Sequence, residues 1–135
     1  MFVDASAIVA IMMEEPGSRQ LAERLESAAQ PMTSPIAIFE AVLAIRRILQ
    51  VTVEIASDRV DDFLAITGTR SISVTPDIAA LALDAFARYG KGQGYPAQLN
   101  MGDRFAYAVA KKQDAPLLFK GDDFGKTDIR TVGAF

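Results

Sequence analysis

Short apolar runs that stop at an acid or a turn, each followed by a longer stretch with helical spacing, are the feature that most restricts how this chain can fold. Phe2-Val3 ends at Asp4 and passes into Ala5 to Met13, which meets the breaker Pro16-Gly17. A strand followed by a helix is predicted. Leu21, Ala22 and Leu25, with Arg19, Glu23, Arg24 and Glu26 between them, predict an amphipathic helix over Gly17 to Ala29. Ser34-Pro35 has a capping residue followed by the imino acid favoured at the first helical position, and it opens a long apolar helix from Ile36 to Leu49. Glu54 to Ile66 continues as helix. Ser71-Ile72-Ser73-Val74 alternates with period two and leads through Thr75-Pro76-Asp77 into a helix over Ile78 to Tyr89. Gly90 to Pro96 is a loop, Asn100 to Lys112 a helix, Pro116 to Phe119 a buried strand, Lys120 to Asp123 a turn, and Ile129 to Val132 a last short strand. Such alternation implies an α/β fold, a central parallel sheet of about four or five short strands flanked by helices.

With 135 residues, half of them hydrophobic, the chain suffices for one domain over 1–135 and is too short for two ordinary ones. The opening Met1-Phe2-Val3-Asp4 has no basic leader, and no apolar run approaches the ~20 residues of a membrane span. A soluble, cytoplasmic protein with no membrane partner is expected. Cysteine is absent, which excludes disulfides, a thiolate nucleophile and Cys-type zinc sites. Histidine is absent too, which removes Ser-His-Asp hydrolysis, paired-imidazole RNA cleavage and histidine-ligated zinc. Acid and base chemistry must then rest on carboxylates, lysine, tyrosine or a metal. The net charge of −3 argues against a generally basic nucleic-acid surface, so positive charge toward RNA has to be local or supplied by metal.

Four acidic places stand out because their neighbours are apolar or because they end a buried strand. Asp4 ends the first strand, where open parallel sheets bind ligands, and it also suits an N-cap for the helix that follows. Glu40 has Ile36, Ala37, Leu43 and Ala44 as its helical neighbours. A carboxylate on an apolar face needs a cation, a metal or a proton, unless it lies at the rim of that face or pairs with a distant arginine. Asp103 lies three residues after Asn100, the spacing of a capping box. It also follows Gly102, which weakens the helix, and it stands above the small Ala106 and Ala110, an arrangement suited to an acid that must approach another backbone or a metal shell. Asp122-Asp123 lies just beyond the strand at Pro116, at the same sheet end as Asp4 if the two strands are parallel, although Gly-Asp-Asp is also ordinary turn chemistry. Together, two acids ending strands and two on helices that can flank them suit a hard divalent cation such as Mg²⁺ or Mn²⁺. Water activated by that cation and oriented by a carboxylate makes phosphodiester hydrolysis the reaction class.

At these residues the chain resembles the PIN-domain ribonucleases, and within them the VapC toxins of bacterial toxin-antitoxin pairs. Val3-Asp4-Ala5-Ser6-Ala7 is similar to the family's first motif and Ser34-Pro35-Ile36 through Glu40 to its second. Leu99 to Ala108 is similar to its third, and Leu117 to Phe124 with Thr127-Asp128-Ile129 to its last. The four motifs occur in order over nearly the whole length. The resemblance implies that Asp4 and Asp103 ligate Mg²⁺ or Mn²⁺, that Glu40 holds or orients the attacking water, and that Ser6 hydrogen-bonds within the shell. It implies an RNA substrate, often structured or transfer RNA, a small VapB-like antitoxin whose tail enters the acidic groove, and a homodimer, for which the apolar helices between Ile36 and Phe63 are suited. The last motif departs from a common family pattern, because Gly121 stands where an acid precedes the phenylalanine by three residues. Registering on Phe124 favours Asp123 over Asp122, and both are carried. Lys91, Arg46, Arg47, Arg104 and Lys120 are candidate phosphate contacts, although such residues are more often just solvated charges.

Two other enzyme classes fail on specific residues. Asp4-Ala5-Ser6 lacks the Asp-x-Asp of haloacid dehalogenase-like phosphatases, and Ser73-Val74-Thr75-Pro76 lacks the phosphoacceptor aspartate of a receiver domain. The remaining alternative is a catalytically inactive domain of the same fold that only binds a protein partner.

Overall fold

Phe2 and Val3 are wholly buried and form the first strand, β1 (Phe2–Val3), of the sheet. A computed structural model describes residues 1–92, 94 and 96–132. Among these residues the sheet has four strands: β1, β2 (Met32–Thr33), β3 (Arg70–Ser71) and β4 (Leu117–Leu118). All pairings are parallel, in the order β3-β2-β1-β4. The chain therefore moves outward from β1 to β2 and β3, then returns to place β4 on the opposite side of β1. That reversal makes the gap beyond the C-terminal ends of β1 and β4 the switch point of the sheet, the place where open α/β sheets hold ligands.

Six α-helices occur among the described residues: α1 (Ala5–Met12), α2 (Ser18–Glu26), α3 (Pro35–Leu49), α4 (Val53–Thr67), α5 (Pro76–Tyr89) and α6 (Met101–Lys112). Their starts follow local chemistry. Ser34 Oγ accepts the Ala37 N–H at 3.1 Å with Pro35 at the first helical position, and Thr52 Oγ1 accepts the Ile55 N–H at 3.2 Å. Packing pairs α5 with α6 and α3 with both α4 and α1. Ile8, Leu21, Ile45, Val60 and Ile78 project from five of these helices into one core with Phe2, Leu117 and Leu118. No helix among the described residues is long and apolar enough to cross a membrane.

One strand is unpredicted and two predicted elements differ in extent. Met32–Thr33 is a strand although two residues carry no readable alternation; it is held by Met32 N–H to the Met1 carbonyl at 2.9 Å and by Thr33 Oγ1 donating to the Val3 carbonyl at 2.9 Å. Of the alternating run at Ser71 only Arg70–Ser71 pairs as strand, since its neighbour β2 is itself two residues long. The last run, Ile129 to Val132, makes a single parallel bridge, Thr131 to Leu117, rather than a strand. The loop predicted over Gly90 to Pro96 includes Gln93 and Tyr95, which lie outside the described residues, as do residues 133–135 at the end of the predicted domain. The base of that loop is closed by Leu99 N–H to the Tyr89 carbonyl at 2.9 Å.

Candidate active site

Asp4 sits where β1 ends, with its N–H bonded to the Leu118 carbonyl of β4 at 3.0 Å, so the pairing that builds the switch point also places this acid in it. The residue is 4% exposed. Its Oδ2 accepts both the backbone N–H of Ser6 at 3.0 Å and the Ser6 hydroxyl at 2.6 Å, so Asp4 is the N-cap of α1 while standing at the switch point. Ser6 Oγ in turn accepts the Lys120 N–H at 3.0 Å, which ties the start of α1 to the turn after β4. Burial raises the Asp4 carboxyl above its ordinary range, against the opposing pull of the Ser6 bonds.

Glu40 leaves α3 between the buried Ala37 and Ala41 and turns its carboxylate against the first turn of α6. It is half-buried. Burial first, then the negative charges of Asp4 and Asp103, push it up to about 7. Of its four helical neighbours Ala37 is buried, Ile36 and Ala44 are half-buried and Leu43 is exposed, and no arginine or lysine forms an ion pair with Glu40 among the described residues. The meeting of this carboxylate with Gly102 is invisible in the sequence, where a glycine at that place signals only room for some close neighbour.

Asp103 completes the predicted capping box: Asn100 Oδ1 accepts the Asp103 N–H at 2.9 Å, and Asp103 Oδ2 accepts the Asn100 N–H at 3.1 Å. The box uses one carboxylate oxygen, and Asp103 lines one cavity with Asp4. Burial, followed by the charge of Asp4, raises Asp103 to about 6; the Asn100 N–H and Arg104 oppose the shift and Asp123 adds to it. Capping and clustering are thus properties of one side chain.

The strands β1 and β4 are parallel, so Asp122 and Asp123 fall at the sheet end of Asp4. Both line a cavity of about 100 Å³ together with Asp4, Ser6 and Asp103. They differ in environment. Asp123 is half-buried and its charge is felt by Asp103, whereas Asp122 is exposed and pairs with Lys126 at 3.8 Å. A neighbouring cleft of about 300 Å³ contains Glu40, Ser6, Glu15 and Lys120. The larger depression of about 470 Å³ over α5 and α6 is lined by alanine, leucine, phenylalanine and methionine with Arg104, and no acid lines it.

The donor set consists of carboxylates and a hydroxyl, in a chain without histidine or cysteine, and hard divalent cations prefer those oxygens. Like charges that raise one another's pKa are the electrostatic signature of a site short of positive charge. Among the described residues no three acids stand close enough to form a finished ligand cage. Glu40, on a flexible stem, and Asp103, with one oxygen outside the capping box, have the freedom to close one. The residues therefore fit a hard divalent ion, with no fit for a soft one.

The basic candidates divide. Lys120 flanks the cleft and pairs with Glu15 at 3.6 Å. Arg104 donates from Nε to the Leu99 carbonyl at 3.2 Å and stacks its guanidinium 4.7 Å from the Phe86 ring centre, occupied with holding α6 to α5. Arg47 lines a shallow depression next to Glu40, and Arg46 and Lys91 are exposed.

Residues 1–130 match the family described as the PIN domain. The chain is 42% identical to a VapC ribonuclease of Rhizobium meliloti, covering 95% of this chain and 98% of that protein, and 40% identical to ribonuclease VapC42 of Mycobacterium tuberculosis, covering 96% and 97%. The chain belongs to the PIN domain family and, within it, to the VapC ribonucleases. Solved structures agree in fold: VapC20 of Mycobacterium tuberculosis, described as a sarcin-ricin loop cleaving toxin, superposes with a TM-score of 0.76 at 19% identity over 97% of both chains. A toxin-antitoxin complex from Klebsiella pneumoniae gives 0.64 at 18% identity over 91% of this chain and 88% of that one.

Proposed function

We propose that this VapC-family ribonuclease is a Mg²⁺- or Mn²⁺-dependent endoribonuclease, the toxin of a type II toxin-antitoxin pair, acting in the cytoplasm on structured or transfer RNA. The observation that carries the reading is the lining of one cavity at the switch point by Asp4, Ser6, Asp103 and Asp123, with Glu40 in the adjoining cleft and against Gly102. Asp4, Asp103, Glu40 and Asp123 would hold the ion, which when bound neutralises charge on the phosphoryl group and lowers the pKa of water. Glu40, whose carboxyl has a raised pKa near neutrality, would orient the attacking water and take its proton. Ser6 keeps Asp4 aimed by donating to Oδ2. Lys120, at the rim, would meet a phosphate beside the scissile one.

The same surplus of negative charge would attract a basic tail of a VapB-like antitoxin, giving inhibition by occupation of the groove. Phe39, Leu43, Ile48 and Leu49 on α3 with Val53 and Ile55 on α4 are exposed apolar residues that a second copy would cover in a homodimer.

The test is cleavage of total cellular RNA by the purified chain, freed of any antitoxin, with Mn²⁺, Mg²⁺ or EDTA, beside Asp4→Asn and Asp103→Asn. Cleavage that needs metal and vanishes in both variants is expected. A wild-type chain that cuts no RNA and gains no thermal stability from Mn²⁺ would instead favour the inactive, partner-binding module.

A further inference from the structure

Gly102 is the second residue of α6, is buried, and has no positive φ to explain a glycine. An alanine would favour the helix there, since glycine is the weaker helix former. What the position lacks is room. A Cβ built on Gly102 overlaps Oε1, Oε2 and Cδ of Glu40, a side chain from another helix, whereas Gly68, Gly92, Gly94, Gly121 and Gly125 have open space at the same place. The obstacle is also one-sided: the overlapping atoms are the far end of a flexible side chain, so an added methyl would move Glu40 and leave the backbone of α6 in place.

We propose that Gly102 is a positioning residue for the nuclease site: its missing side chain is the seat that brings the Glu40 carboxylate of α3 against the first turn of α6, beside Asp103. The seat matters because α3 and α6 pack on one another, and Glu40 is the acid of α3 that reaches the first turn of α6. With the seat filled, the glutamate swings toward the cleft of Glu15 and Lys120, away from the acids it should serve. The role assigned to Glu40 rests on the metal-dependent reading above; the steric relation between the two residues does not.

Mn²⁺ binding is measured by calorimetry for four chains: native, Gly102→Ala, Glu40→Ala, and the pair combined. In the native background Gly102→Ala is expected to weaken Mn²⁺ binding about tenfold or more, the loss typical of a group that orients metal ligands. In the Glu40→Ala background the same change is expected to have no further effect, because no carboxylate remains to be displaced. Equal weakening in both backgrounds, or no weakening in either, overturns the proposal. Thermal unfolding without metal should show Gly102→Ala at or up to ~4 °C above the native midpoint, as a helix-favouring change; a large drop means that the glycine serves the backbone instead. If the native chain binds no Mn²⁺, the metal reading fails, and a crystal structure of Gly102→Ala still decides the seat. A Glu40 carboxylate displaced from α6 supports it, and one left in place beside an intact helix overturns it.

Discussion

The hydroxyl of Ser6 donates to Asp4 Oδ2 at 2.6 Å while accepting the N–H of Lys120 at 3.0 Å, so one side chain fixes the acid that ends β1 and the turn that follows β4. Ser6→Ala should therefore act on both. The Lys120 N–H loses its partner and Asp4 loses one of three bonds that favour its charged form. Urea unfolding is expected to show a loss of about 1–3 kcal/mol. Mn²⁺ affinity should also fall; a variant with native stability and native affinity would remove Ser6 from the site.

Asp4→Asn separates stability from activity. Asparagine keeps the oxygen that accepts the Ser6 hydroxyl and caps α1, but removes a buried charge whose desolvation raises the carboxyl pKa. Metal-free thermal stability should be equal or higher, while RNA cleavage should fall by ~100-fold or more, the upper end of what a metal-supporting group is worth. A parallel loss of both would mean that Asp4 is structural.

Stability without metal should fall as pH rises. Glu40 is raised from 4.5 to about 7 and Asp103 from 3.8 to about 6, so on raising the pH the unfolded chain releases these protons before the folded one does. Their stabilising contribution is full only below pH ~3, on the acid side of both unfolded values, and is lost from there through pH ~7. Thermal melts across pH 4 to 8 in EDTA measure it. Saturating Mn²⁺ should oppose the loss, adding about 2.7 kcal/mol at a hundred times its Kd.

Asp123→Asn should lower Mn²⁺ affinity and cleavage, since Asp103 feels the charge of Asp123 across the cavity. Asp122→Asn should leave both nearly unchanged, its carboxylate being exposed and in an ion pair with Lys126 at 3.8 Å. The reverse order of effects, read by the same calorimetry and RNA assay, would assign the fourth acid to Asp122.

Tyr107 is buried on α6 and donates to Asp128 Oδ1 at 2.6 Å, and Asp128 also pairs with Lys111 at 2.9 Å and with Arg88 at 3.6 Å. The bond ties the segment after β4 to α5 and α6 and keeps the phenol neutral, its pKa being raised by burial and by Asp128. Tyr107→Phe is expected to cost roughly 1.5–3 kcal/mol in chemical unfolding with cleavage retained below the melting temperature. Lost cleavage in a folded variant would bring Tyr107 into the site.

Local chemistry was legible in the residues alone. Helical spacing and short apolar runs that stop at an acid or a turn are near-neighbour properties, so the helices and the strands β1 and β4 were readable. The capping groups at Asp4, Ser34 and Asn100 act within three residues of themselves and were readable too. Asp4, Glu40 and Asp103 stood out because an acid among apolar residues is costly wherever the chain runs.

What depended on the assembled fold involves groups far apart in the chain. The strand Met32–Thr33 exists because β1 and β3 offer it partners on either side, and two residues are too few to carry a period. Asp122 and Asp123 are equal as letters and differ in which one lies close enough for Asp103 to feel its charge. Gly102 reads as a weak helix residue until Glu40, 62 residues earlier, is found occupying the space a side chain would need. Sequence by itself determined which residues could carry charge chemistry and on which elements; the tertiary structure alone decided which of them meet, because Coulomb and steric effects depend on distance through space, a quantity that the order of residues does not contain.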